Sequence, residues 1–181
     1  MVESSINLAV PAQPGVRERR AHRFPLALEG QPALVTGANS GIGKAVALGL
    51  AASGADVAIN YVVNPTAAEE VAHAIEAAGR RAIAIKADVS NEAEVQSMFA
   101  QAMAYFGTLH IAVNNAGLQR DAAFQDMTIG QWNEVISVNL TGQFLCAREA
   151  VREFRKRGIV RDVSAAAGKL VFMSSVHQEI P

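Results

Sequence analysis

Short apolar runs alternate with amphipathic helical stretches along the chain from residue 32 onward. The apolar runs predict five β-strands, at residues 33–35, 57–61, 82–86, 110–113 and 169–173. Between them, apolar side chains recur every three or four residues, which is the spacing of one buried helix face. This alternation is typical of βα units. It predicts an α/β fold with a doubly wound parallel sheet of about five strands, in the order 3-2-1-4-5, flanked by helices.

Capping residues indicate where the predicted helices begin. Asn64 followed by Pro65 suits an N-cap and a first-turn proline, and Ser90 is predicted to cap the third helix. Thr128 with Gln131 three residues later forms a capping box, which opens one long helix that runs to about residue 156. The signals agree with helices placed between successive strands.

A glycine-rich turn follows the first predicted strand. Residues 33–43 read Ala-Leu-Val-Thr-Gly-Ala-Asn-Ser-Gly-Ile-Gly. Glycine lets the backbone bend tightly and approach a phosphate without a Cβ atom in the way. The helix that follows would direct its unpaired backbone N–H groups at the anion. The turn is therefore a candidate pyrophosphate-binding site, and an ordinary strand-to-helix turn is the alternative.

Polar or small residues also follow the other predicted strands. Asn60 and Tyr61 end the second strand, Asp88 follows the third, residues 114–117 follow the fourth, and residues 174–177 follow the fifth. In an open parallel sheet, ligands bind outside the carboxyl ends of the strands. We therefore expect these residues to line one cleft, although each alone also suits a turn or a surface position.

Composition argues against several classes of partner. The 181 residues are 50% hydrophobic with a formal net charge of −1, so no basic field favours nucleic acid or an anionic membrane. No apolar run approaches the roughly 20 residues that span a bilayer, and no signal peptide is recognisable. Cys146, the single cysteine, excludes an internal disulfide, fits the cytoplasm and is expected to be a packed helix residue. No His, Cys or carboxylate cluster has metal-ligand spacing.

The N-terminal stretch differs in character from the rest of the chain. Residues 1–29 hold Pro11, Pro14, Pro25 and a basic run without sustained periodicity, and we interpret them as a flexible N-terminal extension. A nucleic-acid-binding arm, an Arg-rich transit peptide and a start codon assigned too early are the alternatives. Residues 30–181 are predicted to form one domain.

A set of motifs at matching spacings resembles the short-chain dehydrogenase/reductase family. The set comprises the glycine turn of residues 36–43, Asp88, residues 114–117, Asn139 and Ser175. The resemblance covers about residues 28–181, and it implies that residues 30–181 are a Rossmann-like dinucleotide-binding domain, C-terminally truncated. The segment 169–181 further resembles the glucose 1-dehydrogenase branch.

The resemblance implies a role for each matching position. The cofactor-binding positions, which hold pyrophosphate, adenosine, ribose and nicotinamide, are Gly37, Ser40, Gly41, Ile42, Gly43, Asp88, Val89, Asn115, Ala116 and Gly117. Asn139 would position a water molecule in a proton relay. Ser175 would polarise the substrate carbonyl or alcohol, and His177 would lie near a sugar substrate.

The resemblance also implies a catalytic tyrosine and a lysine four residues after it, both downstream of Ser175. The only tyrosines, Tyr61 and Tyr105, lie upstream. We therefore expect an N-terminal fragment of a glucose 1-dehydrogenase-like, NAD(P)-dependent oxidoreductase that transfers hydride between nicotinamide and an alcohol, sugar or carbonyl substrate. Whether this chain is itself an enzyme stays open, and a noncatalytic nucleotide-binding or interaction protein is the alternative.

Cofactor choice and assembly complete the expectations. Residues 60–64 contain neither an acid for the ribose 2′-OH of NAD nor an arginine for the 2′-phosphate of NADP. Absence of a repelling carboxylate favours NADP or use of both cofactors. The resemblance implies a homo-oligomeric full-length parent, with the long helix at a subunit interface. Four of its residues are then expected to be partly uncovered here: Trp132, Ile136, Leu140 and Phe144.

Overall fold

A computed structural model describes residues 26–175 of the chain. Within this part, the strands β1 (Ala33–Val35), β2 (Val57–Tyr61), β3 (Ala82–Lys86), β4 (Ile111–Asn114) and β5 (Lys169–Phe172) form one sheet, ordered β3-β2-β1-β4-β5. Every neighbouring pair is parallel. The predicted doubly wound α/β fold and its strand order are confirmed.

Helices occupy the connections between strands. They are α1 (Gly41–Ala52), α2 (Pro65–Ala77), α3 (Glu92–Phe106), α4 (Ile129–Ile136) and α5 (Gln143–Arg157), with a short 3-10 helix at Phe124–Asp126. A π-helical segment, Ser137–Gly142, joins α4 to α5. The predicted long helix to about residue 156 is confirmed in its extent, because α4, the π-helical segment and α5 follow one another without a break to Arg157. The widening of its middle into a π turn was not predicted.

Two of the three capping predictions are confirmed. Asn64 caps α2, and Thr128 caps α4 within a reciprocal capping box. The prediction for Ser90 is wrong, because α3 is capped by Asn91, whose side-chain oxygen accepts from two backbone N–H groups of the first turn. Ser90 instead donates its hydroxyl to Asp88.

Apolar side chains are buried on both faces of the sheet. The layer under α3 and α5 includes Leu34, Phe99 and Leu145, and the layer under α1 and α2 includes Ile59 and Ile75. Each fully buried side chain of this size stabilises the fold by about 1.5–3 kcal/mol. The sheet is thus covered on both faces, which leaves the carboxyl ends of its strands as the place for a ligand.

Cys146 lies in the layer under α3 and α5 and is 1% exposed. Burial, with a smaller contribution from the charge of Glu149, raises the pKa of its thiol to about 12. The thiol therefore stays protonated near neutral pH. Its burial within α5 confirms the expectation of a packed helix residue.

His110 directly precedes β4, so it lies at the amino ends of the strands, away from their carboxyl ends. It is 3% exposed, and neither ring nitrogen has a hydrogen-bond partner. Burial, with the positive charges of Arg157 and Lys169, lowers the pKa of His110 to about 4 against a smaller opposing effect of Glu153. The imidazole is therefore neutral near neutral pH.

Residues 26–30 turn against the C-terminal end of α1. Leu28 donates its N–H to Ser53 O at 2.9 Å, so residues just before the predicted domain boundary already contact the folded body. Most of the predicted flexible extension lies outside the described residues. The division at residue 30 therefore stays a prediction.

Candidate functional site

The loop between β1 and α1 is a tight turn that depends on glycine. Gly37 has a φ of +60°, which disfavours any residue with a Cβ atom. A Cβ at Gly43 would overlap Gly37 O and lie 2.5 Å from Asn115 Nδ2. The turn therefore presents bare backbone at the carboxyl end of β1.

The N-terminus of α1 points into this region without a side-chain cap. Ser40 is the N-cap, but its hydroxyl makes no capping hydrogen bond, and the first turn holds no acidic residue. The first N–H groups of a helix lack intrahelical partners and carry the positive end of its dipole. Bare backbone and an uncapped helix end together suit a bound anion such as a pyrophosphate.

Thr36 and Asn115 lock the glycine turn to the end of β4. Thr36 Oγ1 accepts the N–H groups of Asn115 and Ala116, each at 2.9 Å. In return, Asn115 Nδ2 donates to Thr36 O at 2.9 Å and to Gly37 O at 3.2 Å. Four hydrogen bonds therefore fix the two strand ends as one rigid unit.

Asp88 and Val89 follow β3 on the other side of the turn. Asp88 Oδ1 accepts from the N–H and the hydroxyl of Ser90, at 2.9 and 2.7 Å. The Asp88 N–H donates to Glu94 Oε2 at 2.8 Å. Val89 is buried, and a Cβ at Gly142 would lie 2.8 Å from its Cγ2. The segment is thus held in place from both sides.

Asn139 lies within the π-helical segment. Its Oδ1 accepts the N–H of Leu118 and its Nδ2 donates to Leu118 O, both at 2.9 Å. The amide therefore braces the loop that follows β4. Single π turns inside helices are frequent at functional sites.

Two adjoining clefts gather these residues at the carboxyl ends of the strands. The larger, of about 810 Å³, is lined by the glycine turn, Asp88, Val89 and residues 115–117. The smaller, of about 660 Å³, is lined by Asn139, Ser174 and Ser175. Ile42 and residues 115–118 border both. The structure thus brings the predicted site residues together, except His177, which lies outside the described residues; their individual roles stay predictions.

Two features of the site escape sequence reasoning. The first is a bidentate ion pair between Arg120 and Glu134, with N–O distances of 2.7 and 2.5 Å, in the lining of the larger cleft. The two residues are 14 positions apart in the sequence, and no motif surrounds them. The hydrogen bond and the charge of Glu134 raise the pKa of Arg120. Asn60 is visible in the sequence as a polar strand end, but its side chain turns out to bond to Gly37 N–H. Neither partner is recognisable before the strands are placed.

Residues 26–175 show neither a candidate metal site nor a membrane-spanning helix. This part of the chain holds no group of three or more His, Cys, Asp or Glu residues arranged for a metal ion. None of its helices combines the length and apolar character needed to cross a membrane.

Known proteins resemble this chain in sequence. The family model described as short chain dehydrogenase matches residues 31–181. A 3-oxoacyl-[acyl-carrier-protein] reductase from Synechocystis sp. is 42% identical over 146 residues, which cover 80% of this chain and 59% of that protein. Glucose 1-dehydrogenase 2 from Bacillus subtilis is 38% identical over 155 residues, which cover 85% and 57%.

A solved structure is similar as well. The crystal structure of a short chain dehydrogenase from Burkholderia cenocepacia J2315 in complex with NADP superposes with a TM-score of 0.69 and 42% sequence identity. The match covers 70% of this chain and 52% of that one. The chain therefore spans between about half and three fifths of the length of these relatives.

Proposed function

Because the chain belongs to the short chain dehydrogenase family, we propose that it binds a nicotinamide dinucleotide, NADP or NAD, in its two adjoining clefts. The parent activity is hydride transfer between nicotinamide and an alcohol, sugar or carbonyl substrate. The observation that carries the proposal is the convergence of the glycine turn, Asp88, residues 115–117, Asn139 and Ser175 on these clefts.

The residues present fit such a cofactor. The backbone of residues 37–43 and the uncapped end of α1 would hold the pyrophosphate, and the missing Cβ of Gly43 lets α1 begin this close to Gly37 and Asn115. Asp88 and Val89 would meet the adenine, and residues 115–117 would lie under the ribose and nicotinamide. A bound nicotinamide supplies or accepts the hydride.

The smaller cleft would receive the substrate. Ser175 would hydrogen-bond the reacting oxygen of the carbonyl or alcohol, and Asn139 would position water for proton transfer. Asn139 also holds both backbone polar groups of Leu118, and Leu118 borders both clefts. A preformed floor of this kind orients reactants before the chemical step.

Cofactor choice is supported by the wall of the larger cleft beside the end of β2. Asn39, Val62 and Val63 line it, and Asn39 Nδ2 donates to Val63 O at 2.9 Å. The charged residues that line this cleft, Asp88 and the paired Arg120 and Glu134, are contributed by other segments. Since none of the described residues at the β2 wall carries a carboxylate that would repel a 2′-phosphate, we propose NADP or dual use.

At a finer level we propose a glucose 1-dehydrogenase-like activity, with His177 near the sugar. The Bacillus subtilis relative supports it, whereas the Synechocystis relative is named for a 3-oxoacyl substrate. Adding gluconolactone, the oxidised form of glucose, or a 3-oxoacyl thioester to the NADPH-bound chain distinguishes them, because NADPH pairs with an oxidised substrate. The lactone should perturb the nicotinamide fluorescence, and a response to the thioester alone would contradict the sugar proposal.

The arrangement of the chain is also proposed. Residues 30–181 would form the dinucleotide-binding domain, and residues 1–29 would form a flexible extension. The full-length protein would be a homo-oligomer in the cytoplasm. Trp132, Leu140 and Phe144 are 53%, 64% and 58% exposed, as expected for a helical surface that meets a second copy.

A noncatalytic nucleotide-binding protein is the second candidate. It is favoured by the position of the two tyrosines, because Tyr61 at the end of β2 and Tyr105 on α3 line neither cleft. Hydride transfer to a carbonyl also needs a proton donor with a suitable pKa. We therefore expect the 181-residue chain to bind cofactor without measurable turnover.

Titration of the 181-residue chain with NADPH, followed by nicotinamide fluorescence, tests the proposal. Saturable binding of one NADPH per chain, displaced by NADP⁺, is expected. A folded chain that binds neither NADPH nor NADH would overturn the nucleotide-binding function. An assay of nicotinamide absorbance with alcohols and sugars then separates the enzyme from the noncatalytic candidate.

A further inference from the structure

Asn60 is a buried polar residue within an apolar strand. It is 1% exposed and follows the buried Val57, Ala58 and Ile59 of β2. It lines neither cleft, so it has no direct access to a ligand there. Burying an amide is unfavourable unless its polar atoms are paired. Its partners therefore indicate what the residue does.

On one side, Asn60 holds two successive N–H groups of the glycine turn. Its Oδ1 accepts the N–H of Gly37 at 3.1 Å, and its backbone oxygen accepts the N–H of Ala38 at 2.8 Å. Gly37 is the residue whose φ of +60° turns the chain away from β1. Asn60 thus fixes the peptide orientation at the start of the turn.

On the other side, Asn60 holds the segment after β3. Its Nδ2 donates to Ala87 O at 2.9 Å and lies 3.4 Å from Ile85 O. Ala87 directly precedes Asp88, which lines the larger cleft. The Asn60 side chain therefore connects two segments that both line that cleft.

We propose that Asn60 is a positioning residue for the dinucleotide site, which sets the separation between the glycine turn and the Asp88 segment. It acts through Gly37 and Ala87. The position needs a hydrogen-bond acceptor that faces Gly37 N–H and a donor that faces Ala87 O. The single side-chain amide of asparagine supplies both. The inference rests on the proposed function, because it assigns Asn60 to the cofactor site.

Substitutions of Asn60 separate its contact with Gly37 from its contact with Ala87. Asn60→Asp keeps an acceptor for Gly37 N–H but places a carboxylate oxygen against Ala87 O. Asn60→Ala removes both interactions. Ile75→Ala is the matched control, because Ile75 is fully buried in α2 but contributes nothing to either cleft. NADPH affinity and thermal stability are measured for the wild-type chain and all three variants.

Both Asn60 variants should weaken NADPH binding about tenfold or more. Ile75→Ala should lower the melting temperature while leaving NADPH affinity of the folded chain within about twofold, which a purely structural role of Asn60 would not reproduce. Failure of the wild-type chain to bind NADPH counts against the proposed function. Wild-type binding that both Asn60 variants retain overturns the positioning role alone.

A second measurement does not depend on the folding of the variants. Amide hydrogen exchange of the wild-type chain should show slow exchange at Gly37 and Ala38, whose N–H groups Asn60 holds. Rapid exchange at Gly37 in the folded protein would contradict the proposed brace.

Discussion

Substitution of Gly43 by alanine should damage the site, whereas the same change at Gly49 in α1 should not. The added Cβ would lie 2.5 Å from Asn115 Nδ2, about 1 Å inside the 3.4 Å of an ordinary contact, and would overlap Gly37 O. Neither atom can retreat easily, because Asn115 Nδ2 donates to Thr36 O and to Gly37 O. Overpacking of this kind costs about 1–3 kcal/mol.

The strain in Gly43→Ala should appear both as lost stability and as lost binding. We expect unfolding in urea to show about 1–3 kcal/mol of destabilisation. NADPH affinity should fall by about tenfold or more, because the glycine turn must move away from its braced position. The two quantities are measured on the same preparation by chemical denaturation and by fluorescence titration.

Gly49→Ala supplies the control in the same helix. Gly49 lies in α1 with open space around an added Cβ, so alanine should stabilise the chain by about 0.5–1 kcal/mol and leave NADPH affinity unchanged. Opposite effects of one methyl group at two positions would support the assigned turn. Equal stability and equal NADPH affinity for both variants would show that Gly43 is not packed against Gly37 and Asn115.

Three further predictions concern pH, thiol chemistry and cofactor choice. The pKa of His110 is about 4 in the folded chain and about 6.5 in the unfolded chain, so on acidification the unfolded chain binds a proton first. The free energy of unfolding should therefore stay constant above about pH 6.5 and fall by at most about 3 kcal/mol as the pH drops to about 4. Urea unfolding across this range should lose that slope in His110→Gln and keep it in His73→Gln, which changes an exposed histidine on α2. The Cys146 thiol should react with Ellman's reagent only after unfolding, and rapid reaction of the native chain would contradict its burial. Val62→Asp should shift the affinity ratio toward NADH over NADPH by about tenfold, measured by competitive titration, and an unchanged ratio would count against the assigned ribose wall.

Local signals account for most of what the sequence predicts correctly. The bounds of β2 and β3 match the predicted strands, because each apolar run begins directly after a charged residue, Asp56 or Arg81, and reaches a polar one, Asn60 or Lys86, near its carboxyl end. Asn64 and Thr128 act as caps because their partners lie three residues away along the chain. Parallel pairing follows from the same alternation, because a helix between two strands supplies the crossover that parallel neighbours need.

Long-range partners account for what the sequence does not reveal. The π turn at Ser137–Gly142 forms where Asn139 reaches Leu118 and Gly142 lies against Val89, and neither contact leaves a periodic signal. The capping error at Ser90 has a local cause, because Ser90 bonds Asp88 and leaves the cap to the next residue. Site residues are thus predictable as positions at strand ends, while the hydrogen bonds that orient them are not.

Chemical-shift mapping of the ¹⁵N-labelled 181-residue chain during NADPH titration locates the dinucleotide site directly. The shifted backbone amides should cluster at residues 37–43, 88–89 and 115–117, at the carboxyl ends of the strands. The amide resonances of residues near His110, at the amino ends of the strands, should not shift. Shifts concentrated around His110, or no saturable shifts in a folded chain, would contradict a dinucleotide site in the two clefts.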